Sequence, residues 1–350
     1  MVIISNLGSA LIKHGANSIP TAVVGAGRMG QVHARIVAES PRADLVAIVE
    51  PNETLGRKVA DSWGAKWFPN IGAALELAEA FVVAVPDRLH VDLTVQLLDA
   101  SRHVLVEKPL ADTLVGAKQI SLTASKSNAH LVVGHVLRHD PRFQVAAENV
   151  KNGSLGEPVH FRSSRIVPRS VGMANAGQSP IYMYQGIHDI DLVQWIARSP
   201  ITEVCAVSAS KILPALGVDG VDVALILLRL ANGAIGTLEI SWALPTTTAS
   251  GLYSEFDLYG TDGAINVSVA DQGVQITTEK GLVFPDTVLG PEVDGRLTGV
   301  VPAQFDHFMQ VIAGEAQQVI TIDEAVSAVA VLDAITESLS TGSWIKTSLH

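Results

Sequence analysis

The chain has 350 residues, with 24 Lys+Arg against 35 Asp+Glu and a formal net charge of −11. That length suggests two domains, and the acidic excess repels phosphate backbones and anionic bilayers, which argues against a general nucleic-acid or membrane partner. With 48% hydrophobic and 17% charged residues the chain lies far from disordered compositions.

Its single cysteine, Cys205, excludes an intrachain disulfide framework or multi-cysteine metal site. It fits a reducing, cytoplasmic compartment and reads as a buried small hydrophobe within a strand. The longest apolar runs, 81–85 and 223–228, fall well short of the ~20 residues that span a bilayer. No metal-ligand set is read.

Residues 1–18 read as a short arm without the features of a signal peptide. From 19 to 140, short β-branched runs alternate with helical stretches: strands over 21–24, 45–49, 80–85, 103–106 and 131–133, helices over 29–38 and 91–100. That rhythm predicts an α/β domain with a doubly wound parallel sheet. From 141 to 320, long strands and tight turns predict an α+β domain on an open, largely antiparallel sheet. Its expected strands are 158–167, 203–210, 221–230, 234–243, 253–259, 264–269 and 274–278, with Asn232-Gly233 and Asp262-Gly263 as hairpin turns. A helix over 187–196 interrupts them. Helices over 303–312 and 324–337 close the fold, and 321–350 form a terminal helix and closing segment.

Gly25-Ala26-Gly27-Arg28-Met29-Gly30 follows a strand and opens a helix, where glycines make a tight turn and let a pyrophosphate approach the helix N-terminus. Glu50 ends the second strand about 20 residues later, where a carboxylate accepts from a ribose diol and repels a 2′-phosphate; a solvated loop carboxylate is the plain alternative. Pro86-Asp87-Arg88-Leu89-His90 leaves a buried strand at the carboxyl edge of the sheet, where such sheets bind ligands. His90 there faces the nicotinamide half of a dinucleotide or merely braces a helix start. Glu107-Lys108-Pro109 closes the next strand; its lysine can hold a substrate hydroxyl, or belong to a salt-bridged pair before a turn.

These motifs, with Gly134-His135-Val136-Leu137-Arg138-His139-Asp140-Pro141-Arg142-Phe143, Gly186-Ile187-His188-Asp189-Ile190-Asp191-Leu192 and Leu258-Tyr259-Gly260-Thr261-Asp262-Gly263, resemble the Gfo/Idh/MocA oxidoreductase family from about Thr21 to Trp344. The resemblance implies a Rossmann domain, a C-terminal sheet domain, and NAD(P)-dependent oxidation of a sugar, polyol or similar secondary alcohol. Glu50 favours NAD. The cofactor side is then assigned to Gly25, Gly27, Arg28, Met29, Gly30, Glu50, Pro86, His90, Glu107 and Lys108. Relatives often assemble through the sheet domain, which implies a homodimer or homotetramer.

His188, Asp191 and Trp195 fall on one helical face, and a histidine with an ordinary pKa of about 6.5 suits removal of a hydroxyl proton. Family members that oxidise polyols usually carry an aspartate four residues before this histidine; here that place is held by Tyr184. Lys108, His188 and Tyr184 are the catalytic candidates, and Arg138, Arg165, Tyr184, His188 and Asp191 the substrate contacts. Arg162 and Arg165 point to opposite faces of one strand, so only part of the arginine set (Arg138, Arg142, Arg162, Arg165, Arg169) can line one site, the rest being surface charge. Two rival functions stand beside the dehydrogenase: an NAD-using glycoside hydrolase and a catalytically silent dinucleotide sensor.

Overall fold

The computed structural model describes residues 18–270 and 272–348, so the expected arm lies outside them but for Ser18. It contains two structural units. Among the described residues, one comprises 137–288 and 327–348; the other holds 18–136 together with Leu289–Val326.

In the latter unit β1 (Ile19–Val24), β2 (Ala43–Val49), β3 (Lys66–Phe68), β4 (Ala80–Val83), β5 (His103–Val106) and β6 (Leu131–Val133) form a parallel sheet in the order β3-β2-β1-β4-β5-β6. Its inner strands are short apolar runs, with every residue of β4 buried, as expected of a parallel sheet covered on both faces. The order reverses between β1 and β4, the switch point where doubly wound sheets hold their ligands. The carboxyl ends of β1, β4 and β5 lead into the glycine, Pro86 and Lys108 motifs.

Chain continuity alone assigns 141–320 to the sheet domain, yet 289–326 folds back into the unit of the parallel sheet. Phe305, Phe308 and Met309, from the helix Val300–Ile312, join Ile36, Val37, Ile48 and Val82 in one buried cluster. The guanidinium of Arg35 donates to Glu39 at 2.7 Å, to Glu292 at 2.9 Å and to the Gly295 carbonyl at 3.0 Å. This return is invisible to strand-counting because the apolar stripe of a helix does not name its partner.

The other unit is built on β7 (Pro158–Pro168), β8 (Ile201–Ala209), β9 (Val223–Leu230), β10 (Ile235–Leu244), β11 (Tyr253–Gly260) and β12 (Ala264–Ser268), ordered β12-β11-β7-β10-β9-β8 and finished by the short strand Ile345–Lys346. Only β7 and β10 pair in parallel; the other neighbours are antiparallel. Alternation sets the faces: in β9, Ala224, Ile226, Leu228 and Leu230 are buried, while Leu225, Leu227 and Arg229 are exposed. Cys205 lies opposite Leu227 and is half-buried, so it sits on the outer face and not in the core expected of it. The stretch expected as a seventh strand, 274–278, forms a separate exposed hairpin, Ile276–Thr278 against Gly281–Val283. None of those residues has a core to pack on.

Phe308 is fully buried, so Phe308→Ala is expected to cost about 3–5 kcal/mol. Urea unfolding followed by circular dichroism checks this, with a fall below about 1 kcal/mol showing that the helix Val300–Ile312 does not anchor the return.

Candidate active site

Each glycine of the turn after β1 has a distinct steric task. Gly25 has φ +95°, a region that L side chains rarely adopt, and a Cβ there would lie 2.5 Å from the Ala84 carbonyl oxygen. A Cβ on Gly30 would collide with the Gly25 carbonyl. On Gly27, the residue before the helix Arg28–Glu39, a Cβ would meet nothing within 4 Å. Open space beside a helix N-terminus, with no side chain capping its amides, is what an approaching diphosphate requires, so the residues present fit a dinucleotide. Arg28 is exposed and Met29 half-buried on the first turn. The Glu50 carboxylate is held at this turn by the amides of Ala26 (2.9 Å) and Asn52 (3.0 Å), with lone pairs left for further donors.

At the end of β4, Pro86 opens the short turn Asp87–Leu89. His90 departs from the cofactor contact expected of it. Its ring is buried, with Nδ1 2.7 Å from the Pro109 carbonyl and Nε2 3.0 Å from the Val85 carbonyl. Burial lowers its pKa below the ordinary histidine value against the raising influence of both carbonyls. The ring therefore braces the β4 and β5 loops, leaving no nitrogen for a nicotinamide.

Glu107 is likewise turned inward. Its Oε1 accepts from His33 Nε2 at 2.8 Å, and its Oε2 accepts the Lys108 N–H at 3.2 Å. Burial works to raise this carboxyl, but the bond and charge of His33, with the neighbouring Lys108, hold it below the usual carboxylate range. Sequence reasoning missed His33. The signal was its place three residues beyond Gly30, on the helix face turned to the sheet.

In the second unit the helix Ile187–Ile196 is entered through a π-helical turn, Tyr182–Gly186, so Tyr184 sits inside a continuous helical segment and not at a helix edge. Tyr184 lies 6.2 Å from the Trp242 ring, and His188 is half-buried. Three residues assigned to the substrate are engaged elsewhere. The Arg138 guanidinium donates through Nη2 to Asp191 Oδ1 at 2.7 Å and through Nε to both carboxylate oxygens at 3.1 and 3.2 Å, stacked over Trp195. Arg165 donates through Nε to Asp189 at 2.6 Å, and Asp189 also accepts from the Ser163 hydroxyl at 2.7 Å. All four charged groups are buried. Buried charges must be paired, so Arg138, Arg165 and Asp191 anchor the helix that presents His188. Asp189 was missed because sequence spacing alone does not reveal its pairing partner.

Arg162 points the other way, outward, to Glu255 and Asp257 on β11. Among the described residues no cluster of three or more ligand side chains could hold a metal ion, and no helix is long and apolar enough to cross a membrane.

A parallel sheet with its glycine turn, bound acid and strand-end lysine defines a dinucleotide-binding enzyme of the oxidoreductase class. Residues 19–135 match the NAD-binding Rossmann fold of the Gfo/Idh/MocA oxidoreductase family and residues 147–347 match that family's C-terminal α/β domain; the chain belongs to this family and its cofactor is NAD. It is 27% identical to the rhizopine catabolism protein MocA of Rhizobium meliloti over 91% of this chain and 94% of that one. It is 26% identical to scyllo-inositol 2-dehydrogenase (NAD(+)) of Bacillus subtilis over 93% and 95%. Among solved structures, GenD2 from gentamicin A biosynthesis, in complex with NAD, superposes with a TM-score of 0.83 at 26% identity, covering 98% of this chain and 99% of that one.

Asp189→Asn removes the charge facing buried Arg165 and is expected to cost about 3–5 kcal/mol. Replacing both partners by apolar residues of similar volume, Asp189→Leu with Arg165→Met, should recover most of that loss. Equal losses in the single and double variants, measured by denaturant unfolding, would refute the pairing account.

Proposed function

We propose that the chain is an NAD-dependent dehydrogenase oxidising a secondary alcohol of a polyol, inositol or sugar to a ketone. The observation that carries this reading is the likeness to scyllo-inositol 2-dehydrogenase, which extends through nearly the whole of both chains. NAD, when bound, supplies the hydride acceptor. The amides beyond Gly27 take the diphosphate, and Glu50 accepts from the ribose hydroxyls and disfavours a 2′-phosphate. The Lys108 ammonium steadies negative charge developing on the substrate oxygen, and the His188 imidazole takes the hydroxyl proton. Tyr184 donates through its phenol hydroxyl to a substrate oxygen and positions it.

Assembly is assigned to the outer face of the second sheet, in a homodimer or homotetramer. Val207, Leu225, Leu227 and Ile235 stand on that face about half exposed or more, a side-by-side apolar group that a second copy would cover. The cytoplasm, where NAD is at hand and a lone thiol stays reduced, is the compartment this reading assigns.

The test is NADH formation with a panel of inositols, aldoses, anhydrosugars and nucleotide sugars. Turnover with an inositol or sugar and NAD⁺, more efficient than with NADP⁺, is expected; sugar release without net NADH would instead mark a hydrolase. Lys108→Ala should lower kcat by about 100-fold or more with NADH affinity nearly unchanged, and Tyr184→Phe should raise KM while leaving the acidic limb of the kcat/KM profile in place. Near-normal turnover in Lys108→Ala would remove the lysine from the reaction.

A further inference from the structure

Glu107 is bound through both oxygens, and both partners bear on Lys108. Oε2 accepts the Lys108 N–H, and Oε1 accepts from His33 on the helix that the glycine turn opens. The His33 side chain is 1% exposed and that of Glu107 14%, so the pair is shielded from water. Gly134 closes the turn from behind: a Cβ there would lie 3.1 Å from both the Glu107 Cα and the Lys108 nitrogen. On the far side His90 sits against the Pro109 carbonyl. Among the described residues His33 Nδ1 is buried with no hydrogen-bond partner.

We propose that His33 and Glu107 are positioning residues for Lys108: they hold its backbone, set one negative charge beside its ammonium, and link that setting to the helix that receives the dinucleotide. The inference rests on the reading of Lys108 as a catalytic residue. The sign of the effect follows from charge. A nearby carboxylate stabilises the ammonium, so removing it makes Lys108 give up its proton more readily. Removing His33 takes away the donor that holds this carboxylate in place; the carboxylate stays ionised where an ammonium titrates, and Lys108 shifts the same way only as far as the carboxylate turns away from it. The titratable groups facing Glu107 are His33 and Lys108 and, from the helix His90–Asp99, His90, which also feels Asp87.

The experiment is competitive acylation of the full-length protein across pH, with Lys108 labelling read by peptide mass spectrometry in the free enzyme and with NADH. In Glu107→Gln, Lys108 is expected to titrate about one pH unit lower than in the wild type, and in His33→Ala to shift in the same direction by less. His33→Gln keeps an N–H donor and should restore at least half of the difference. In Glu107→Gln, kcat should fall about tenfold or more while the Kd for NADH stays within about twofold. Unmoved Lys108 titration in folded Glu107→Gln overturns the proposal, even if its Tm falls, because a merely structural pair would lower Tm alone. Should His33→Ala not fold, the near-isosteric Glu107→Gln decides. Lys108→Ala with normal turnover would sink the catalytic reading instead, while the labelling curves still judge the coupling.

Discussion

Parallel pairing is the constraint from which the dinucleotide unit follows. Because all six strands run the same way, each must be left by a crossover, and all carboxyl ends share one edge. Residues far apart in the chain, Gly25, Pro86 and Lys108, are thereby delivered to that edge. The steric needs of the turn then select residue types: the +95° φ at Gly25 and the close approach at Gly30 exclude side chains for reasons independent of any ligand. Only the open direction at Gly27 answers to what binds, and the Glu50 carboxylate, held by the Ala26 amide, is fixed against that same turn.

The second unit treats charge differently. Its informative helix carries two acids, and both are spent on buried arginines, Asp189 on Arg165 and Asp191 on Arg138. Such pairs give little net stability over an apolar pair of equal volume, but removing one member is costly. They fix which way the helix faces, since rotating it would strand both guanidiniums. His188 immediately precedes Asp189 on this helix, so its direction is set by the pairs that hold both acids.

This division explains what was legible. Five of the six parallel strands, all but the short edge strand β3, and most of the second sheet could be read, because period-2 alternation and apolar runs are local signals. The helix 187–196 was read to the residue at both ends. The glycine turn was legible because its chemistry is backbone sterics written at fixed spacing. Charged residues were not. Arg138, Arg165 and Asp191 look like ligand contacts in one dimension, and only three dimensions show each carboxylate already taken. His90 and Glu107 sit at the ligand edge as expected, yet point inward, because direction depends on partners such as Pro109 and His33 that no local pattern names. The fold-back of 289–326 escaped for the same reason.

Tyr184 shows how a departure from a family pattern can be matched by its surroundings. Its ring lies beside Trp242, which is itself immobilised: the indole N–H donates to the Val221 carbonyl at 2.7 Å, and the ring packs so closely on Gly172 that a Cβ there would come within 2.7 Å of it. A carboxylate in Tyr184's place would face this aromatic wall half-buried, with part of its hydration lost. A phenol loses nothing comparable, because its ring buries against the indole while its hydroxyl can keep a polar partner. The π-helical turn, with its wider winding through residues 182–186, accommodates that ring within an unbroken helix. The aromatic at this position, the wall it leans on and the turn that carries it therefore form one local packing solution, in which a ring fills the place that a charge would leave poorly hydrated.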